Sequence, residues 1–306
     1  MTRTGKAADR AASLPSPSHG AVDAAHASEP LRPAPAGAMA RHPLLHAWLD
    51  ADSSLPGLDE LEARRTRAQR DDGVERPAFV AQTHALLEDG LHYETRIAER
   101  RVLATRAHDA HDAFNALVWL RHPELKWALN ARQAADVARV GGKQRTRGQY
   151  ALTHFDEAGA IVWLASSQWR AAWDAHDWTA LFVDAREAWG NELGVTVFGH
   201  ALAEHAWIGR AWPVAKCIAV EVGREALHAR TNAAAIVPRW ASAERALATA
   251  IRAGDLLADP QELRPLPLAG IRGWHEDGAI ARLLAQAPCF RPLRPGRRYP
   301  APTRLA

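Results

Sequence analysis

Apolar and polar positions change period several times along this chain, and the changes mark its elements. Residues 1–40 show almost no period. Ala, Pro, Ser and Gly dominate them, too little apolar surface to offset ordering entropy, so a disordered tail is expected there. A single globular domain is expected over 41–306, with Met39 a candidate start just before it. His42–Asp50 reads as a short amphipathic helix, and Leu58–Arg70 as a charged helix after the Pro56-Gly57 turn. Tyr93–Arg106 alternates apolar and polar residues and predicts a β-hairpin. A helix follows over Ala110–Arg121 with Asp109 as its N-cap; Pro123 ends it and opens another that runs to about Val140.

Gly141–Gly148 is a basic loop, and Gln149–Leu164 reads as a second hairpin turning at Asp156-Glu157-Ala158-Gly159. Helices are predicted over Ser167–Ala175, Trp178–Trp189, His200–Trp207 and Pro238–Leu257, with strands over Val195–Phe198 and Lys216–Val222. The Pro- and Gly-rich remainder is expected to wrap the surface. Strands and helices mix without regular β-α-β alternation. The predicted class is α+β, mostly helical with β-hairpins packed on the helices.

Composition narrows this little. The chain has 306 residues, 47% of them hydrophobic, enough for a sizeable core. No apolar run approaches the ~18–20 residues of a membrane span, and no apolar h-region follows the N-terminal Met-Thr-Arg-Thr-Gly-Lys. The two cysteines, Cys217 and Cys289, form no CxxC pair, which fits a reducing cytoplasm. The net charge of +3 is too mild for a dedicated nucleic-acid arm. Trp is over-used, with 12 against 3 Tyr and 6 Phe, and rings of that kind fill cores.

Several runs resemble a known bacterial family. They are Tyr93-Glu94-x-Arg96-Ile97, Thr105-Arg106, His111-Asp112-Ala113-Phe114-Asn115-Ala116-Leu117-Val118-Trp119-Leu120 and Lys126-x-x-Leu129-Asn130. Leu152-Thr153-x-Phe155-Asp156-Glu157-x-Gly159, Phe198-Gly199-His200-Ala201-Leu202-x-Glu204, Pro265-Leu266-Pro267-Leu268-x-Gly270-Ile271-x-Gly273-Trp274 and Phe290-Arg291-Pro292 continue the match. In this order they resemble the uncharacterised family DUF3025 over about residues 42–295. Arg272 stands where the family looks like proline, and Ala110 where it looks aromatic. The resemblance implies no activity.

Candidate chemistry falls into four sets. His111, Asn115, Val118 and His122 share one helix stripe, with His111 and Asp112 in the first turn, where free amides and the helix dipole favour anions. Capping explains Asp112 equally well. His200 and Glu204 share a helix face at i, i+4 after a strand–Gly199 junction, and could reach one ion or substrate; a self-stabilising helix pair is the plainer account. Asp156-Glu157 could supply a general base, or serve only as turn residues. Arg106, Lys126, Arg139, Lys143, Arg145 and Arg147 could bind phosphate or nucleic acid, or merely be solvated. Walker, GxGxxG and GxSxG motifs are absent.

The resulting expectation is a small-molecule or phosphoester enzyme. His111, Asp112, His200 and Glu204 are its candidate catalytic groups, and Arg106, Asn115, Lys126, Asn130 and Asp156 its candidate ligand-binding groups. A divalent metal is the one candidate cofactor, its ligand set left open. A small anionic ligand ranks ahead of nucleic acid as partner, and no membrane is expected. The alternatives are a phosphate or nucleic-acid binding module using the 139–147 loop, and a non-catalytic interaction protein.

Overall fold

The architecture is that of a computed structural model describing residue 49 and residues 54–210, 212–223, 236–271 and 280–304, all within the unit Arg32–Ala306. The expected tail over 1–40, and all but Leu49 of the expected helix His42–Asp50, lie outside the described residues.

Helix α1 (Leu58–Asp72) buries only Leu61 and carries ion pairs at helical spacing, among them Arg65–Glu62 at 2.5 Å; Gly73 ends it in the left-handed region at φ 69°. Strand β1 (Ala78–Ala81) pairs in parallel with β2 (Val102–Thr105), and helix α2 (Tyr93–Arg100) lies between them in sequence. The hairpin expected over Tyr93–Arg106 is therefore a helix and a strand. Glu, Arg and Ala are good helix formers, the buried pair Arg96 and Ile97 packs inward, and Arg101 at φ 57° closes the helix.

Helix α3 (Ala110–Arg121) starts on its Asp109 cap, which accepts a hydrogen bond from the Asp112 amide at 3.0 Å. It is buried along most of its length, and α4 (Pro123–Val140) follows with proline in its first turn. The second expected hairpin, Gln149–Leu164, is helix α5 (Arg147–Ala158) running into strand β3 (Gly159–Leu164). A reciprocal capping box, Thr146 with Gln149, starts α5, and Ala151, Leu152 and Phe155 bury one helical face. Asp156-Glu157-Ala158 is thus a helix's last turn and not a hairpin tip.

A five-stranded sheet forms the second layer, in the order β4 (Leu193–Val197), β3, β5 (Val214–Glu221), β6 (Arg264–Pro267), with β7 (Thr303–Arg304) also paired to β5. β3 and β5 run parallel, with Gly159 opposite Lys216; β4 and β6 are antiparallel to their neighbours. The C-terminal remainder therefore contributes strands as well as surface. Helix α6 (Ser167–Asp174) matches expectation. The single helix expected over Trp178–Trp189 is instead a π turn at Ala180–Asp184 and a 3-10 turn at Arg186–Ala188. Helices α7 (His200–Trp207) and α8 (Ile236–Ala253) pack on α3 and α4 respectively. The mixed helices and sheets make this an α+β fold.

One main cluster of buried side chains runs from Leu61 to Ile271. The tryptophans behave as core: Trp163, Trp173, Trp178 and Trp207 are buried, and the first three donate indole hydrogen bonds to Thr196, Pro265 and Arg291 respectively.

Two glycines fix the junction that matters most. The Phe198 and Gly199 amides both donate to the Gly159 carbonyl, at 2.9 and 2.8 Å. A Cβ at Gly199 would lie 2.4 Å from the Gly159 nitrogen, and one at Gly159 would lie 2.1 Å from the Phe155 carbonyl oxygen. Bare backbone at Gly199 lets the β4–α7 corner touch the α5–β3 corner, while Gly159 has no room for a Cβ against the last turn of its own helix. Phe155 and Phe198 stack beneath the contact at 5.0 Å.

Candidate functional site

The touching corners carry the end of α5 and the start of α7 to one place, and the first turn of α3 packs against them. His111 comes from that first turn, His200 is the first residue of α7, Glu204 lies one turn further along, and Glu157 is the penultimate residue of α5. The imidazoles meet edge to face, with ring centroids 4.4 Å apart and Nε2 atoms 3.0 Å apart. Glu157 Oε2 lies 3.5 Å from His200 Nε2 and 3.9 Å from His111 Nε2. These three donors form the one group of its kind among the described residues. Two donors on a tetrahedral zinc-like ion, bonded at ~2.0–2.1 Å, lie about 3.3 Å apart, so the observed triangle is close to the size such an ion requires.

The far sides of both rings are oriented. His111 Nδ1 meets Glu204 Oε2 at 2.9 Å, the carboxylate–histidine arrangement that fixes a metal-binding tautomer. His200 Nδ1 is buried beside the Asp156 backbone, which favours a proton there, although the contact falls short of a well-formed hydrogen bond. The 3.0 Å Nε2–Nε2 contact is that of one imidazole donating to the other; with Nδ1 protonated in both rings, both Nε2 lone pairs would instead be free to share an ion.

Electrostatics separates the two histidines. Desolvation pulls His200 down to about 4, so it is neutral at physiological pH and can act as an electron-pair donor. The hydrogen bond to Glu204 raises His111 and depresses Glu204, while desolvation raises Glu157.

The other sequence candidates lie beside this cluster. Asp112 turns to Arg106 and accepts from its backbone amide at 2.7 Å and its guanidinium at 2.8 and 3.0 Å; Arg106 also pairs with Asp109. Behind the cluster, Lys126 donates to Asp156 at 2.6 Å and Asn115 at 2.9 Å, and Asn115 donates to the Tyr93 hydroxyl at 2.8 Å. Asn130 donates to the Glu94 carboxylate at 2.7 Å, and burial pushes Glu94 up to about 7. His122, on the same helix stripe as His111, faces away to Glu244 at 2.7 Å. In the basic set, Arg139 and Arg147 are neutralised by Asp136 and Asp259.

Sequence reasoning took Asp156 from the acidic pair, whereas Glu157 reaches the imidazoles. Helix phase separates them: successive helical residues point about 100° apart, so one faces Lys126 and the other the histidines. The Thr146-x-x-Gln149 capping box was the available signal, since it turns the expected hairpin into a helix.

Among described residues, no helix is long and apolar enough to cross a membrane. The family model for DUF3025, described as a protein of unknown function, matches residues 78–294 and so spans every residue of the cluster. No curated protein and no solved structure matches the chain.

Proposed function

The chain belongs to the DUF3025 family of proteins of unknown function, and we propose from its geometry that it is a metal-dependent hydrolase acting on a small phosphoester. The observation that carries the reading is the convergence of two imidazole Nε2 atoms and one carboxylate on a single point. Three protein donors suit a catalytic ion, because they leave positions for water and for a substrate oxygen. Such an ion lowers the pKa of its water and polarises the phosphoryl group.

The chain's own groups do the rest. His111, His200 and Glu157 would hold the ion, and Glu204 orients His111. The α7 N-terminus has no side-chain cap, so its first amides and the positive end of the helix favour an anionic substrate beside the metal. Glu157 and His111 are partly exposed, which gives the substrate access. In the reaction, water oxygen bonds to phosphorus as the ester P–O bond breaks; the proton lost by water balances the one gained by the leaving alcohol.

Metal analysis after zinc or manganese loading, with phosphatase assays on p-nitrophenyl phosphate, tests this. One ion per chain is expected, lost in His200→Ala and in His111→Ala, together with hydrolysis. Saturating metal should raise the melting temperature, since about 100-fold excess over Kd contributes ~2.7 kcal/mol. A wild-type chain that takes up no metal, while both alanine variants melt early, would make the histidine pair a structural hydrogen bond and overturn the proposal.

A further inference from the structure

A second concavity, built from residues outside the cluster, has a different character. It is an open groove of about 870 Å³ between the start of β5, the Pro260–Leu263 turn and the C-terminal segment 288–299. Lys216, Arg291, Arg294 and Arg297 line it, and among the described residues no Asp or Glu does. The whole chain carries 38 Lys and Arg against 35 Asp and Glu, so four cations with no acid among the described lining residues is a local concentration of positive charge. None of the four forms an ion pair among the described residues. The nearby carboxylate of Asp259 is paired with Arg147 at 2.5 Å and lies within electrostatic reach of Arg297.

Backbone conformation concentrates this charge. The Arg297 amide donates to the Arg294 carbonyl at 3.0 Å across Pro295-Gly296, with Gly296 at φ 76°. A proline–glycine turn of this kind brings its end residues within about 7 Å, so two guanidinium stems leave the chain side by side. Arg297 is packed on Tyr299, 4.5 Å from ring centroid, and held by the Gln261 and Leu263 carbonyls, whereas Arg291 and Arg294 are exposed. Trp212, 39% exposed, supplies an aromatic surface at the rim.

We propose that this groove binds single-stranded nucleic acid, with the arginines and Lys216 on phosphates and Trp212 stacked on a base. Cations tracking a backbone beside an exposed aromatic ring are what sequence-tolerant strand binding requires. A strand fits better than a lone nucleotide because the four cations and the ring are spread over one open groove of about 870 Å³. This inference does not depend on the hydrolase reading, since no residue is shared.

Fluorescence anisotropy of the full chain with a labelled oligo-dU or oligo-dT strand, in EDTA across a salt series, tests it. Binding is expected, with a log–log salt slope of about −2 to −3, as roughly three or four phosphate contacts require. Arg291→Glu with Arg294→Glu should weaken binding at least tenfold with an unchanged melting temperature, and Trp212→Ala should weaken it severalfold. His200→Ala should bind like the parent. No binding at low salt would overturn the proposal. So would equal competition by a polyglutamate peptide or by ATP at matched charge, or binding lost in His200→Ala but kept in the double arginine variant.

Discussion

Two polar assemblies share helices α3 and α5 and are built on opposite principles. In the interior one, Lys126 bridges Asp156 and Asn115, and Asn115 goes on to the Tyr93 hydroxyl; donors and acceptors are matched within the chain. In the outer one, two Nε2 atoms and a carboxylate lie around a shared space, the back of the His111 ring is held by Glu204, and His200 Nδ1 is buried beside the α5 backbone without a hydrogen bond. Buried polar groups that satisfy one another hold a fold together; groups oriented from behind and left facing a common point are arranged for something else. Neighbouring residues thus divide their work: Asp156 belongs to the first assembly and Glu157 to the second.

The largest test falls on the interior assembly. Lys126→Met strands the Asp156 carboxylate and should cost about 3 kcal/mol, the low end for breaking a buried pair, because Asp156 keeps some contact with water. Adding Asp156→Asn should recover part of that loss. Urea melts that show no change would remove the structural half of the comparison.

Next is pH. Glu94 holds its proton to about 7 in the folded chain, against an ordinary value of 4.5. Between these values the unfolded chain binds fewer protons than the folded one, so stability should fall as pH rises from about 4.5 to 7 and then level off. The loss should be on the order of 2–3 kcal/mol, since Glu94 is only partly shielded from water. Glu94→Gln should flatten this limb in denaturation curves recorded at several pH values; an equally steep limb in the variant would place the titrating group elsewhere.

The smallest effect on stability falls on the outer assembly. Glu204→Gln should shift the melt by no more than about 0.5 kcal/mol without metal, yet lower metal affinity by about 10–100-fold, as removing a carboxylate behind a ligating imidazole does. A variant that melts early and binds metal normally would merge the two assemblies into one structural network.

Local signals made a good part of this protein legible from sequence. The α+β class, the family, the Asp109 cap and the limits of α7 were read from period, capping chemistry and ordered motifs, all of which act within a few residues. They placed His111 and His200 in the first turns of their helices. The same local reading failed where two periods compete: Tyr93–Arg100 and Arg147–Ala158 are helices, because packing of Ile97 and Phe155 and the Thr146 capping box outweigh short stretches of alternation. That the two histidines meet could be decided only in three dimensions, since they lie 89 residues apart in the chain. It depends on a backbone contact between Gly159 and Gly199 that no side chain would permit, and on the phase of α5, which turns Glu157 rather than Asp156 toward them. Period and caps set the direction of each element, but which ends touch is set by long-range packing.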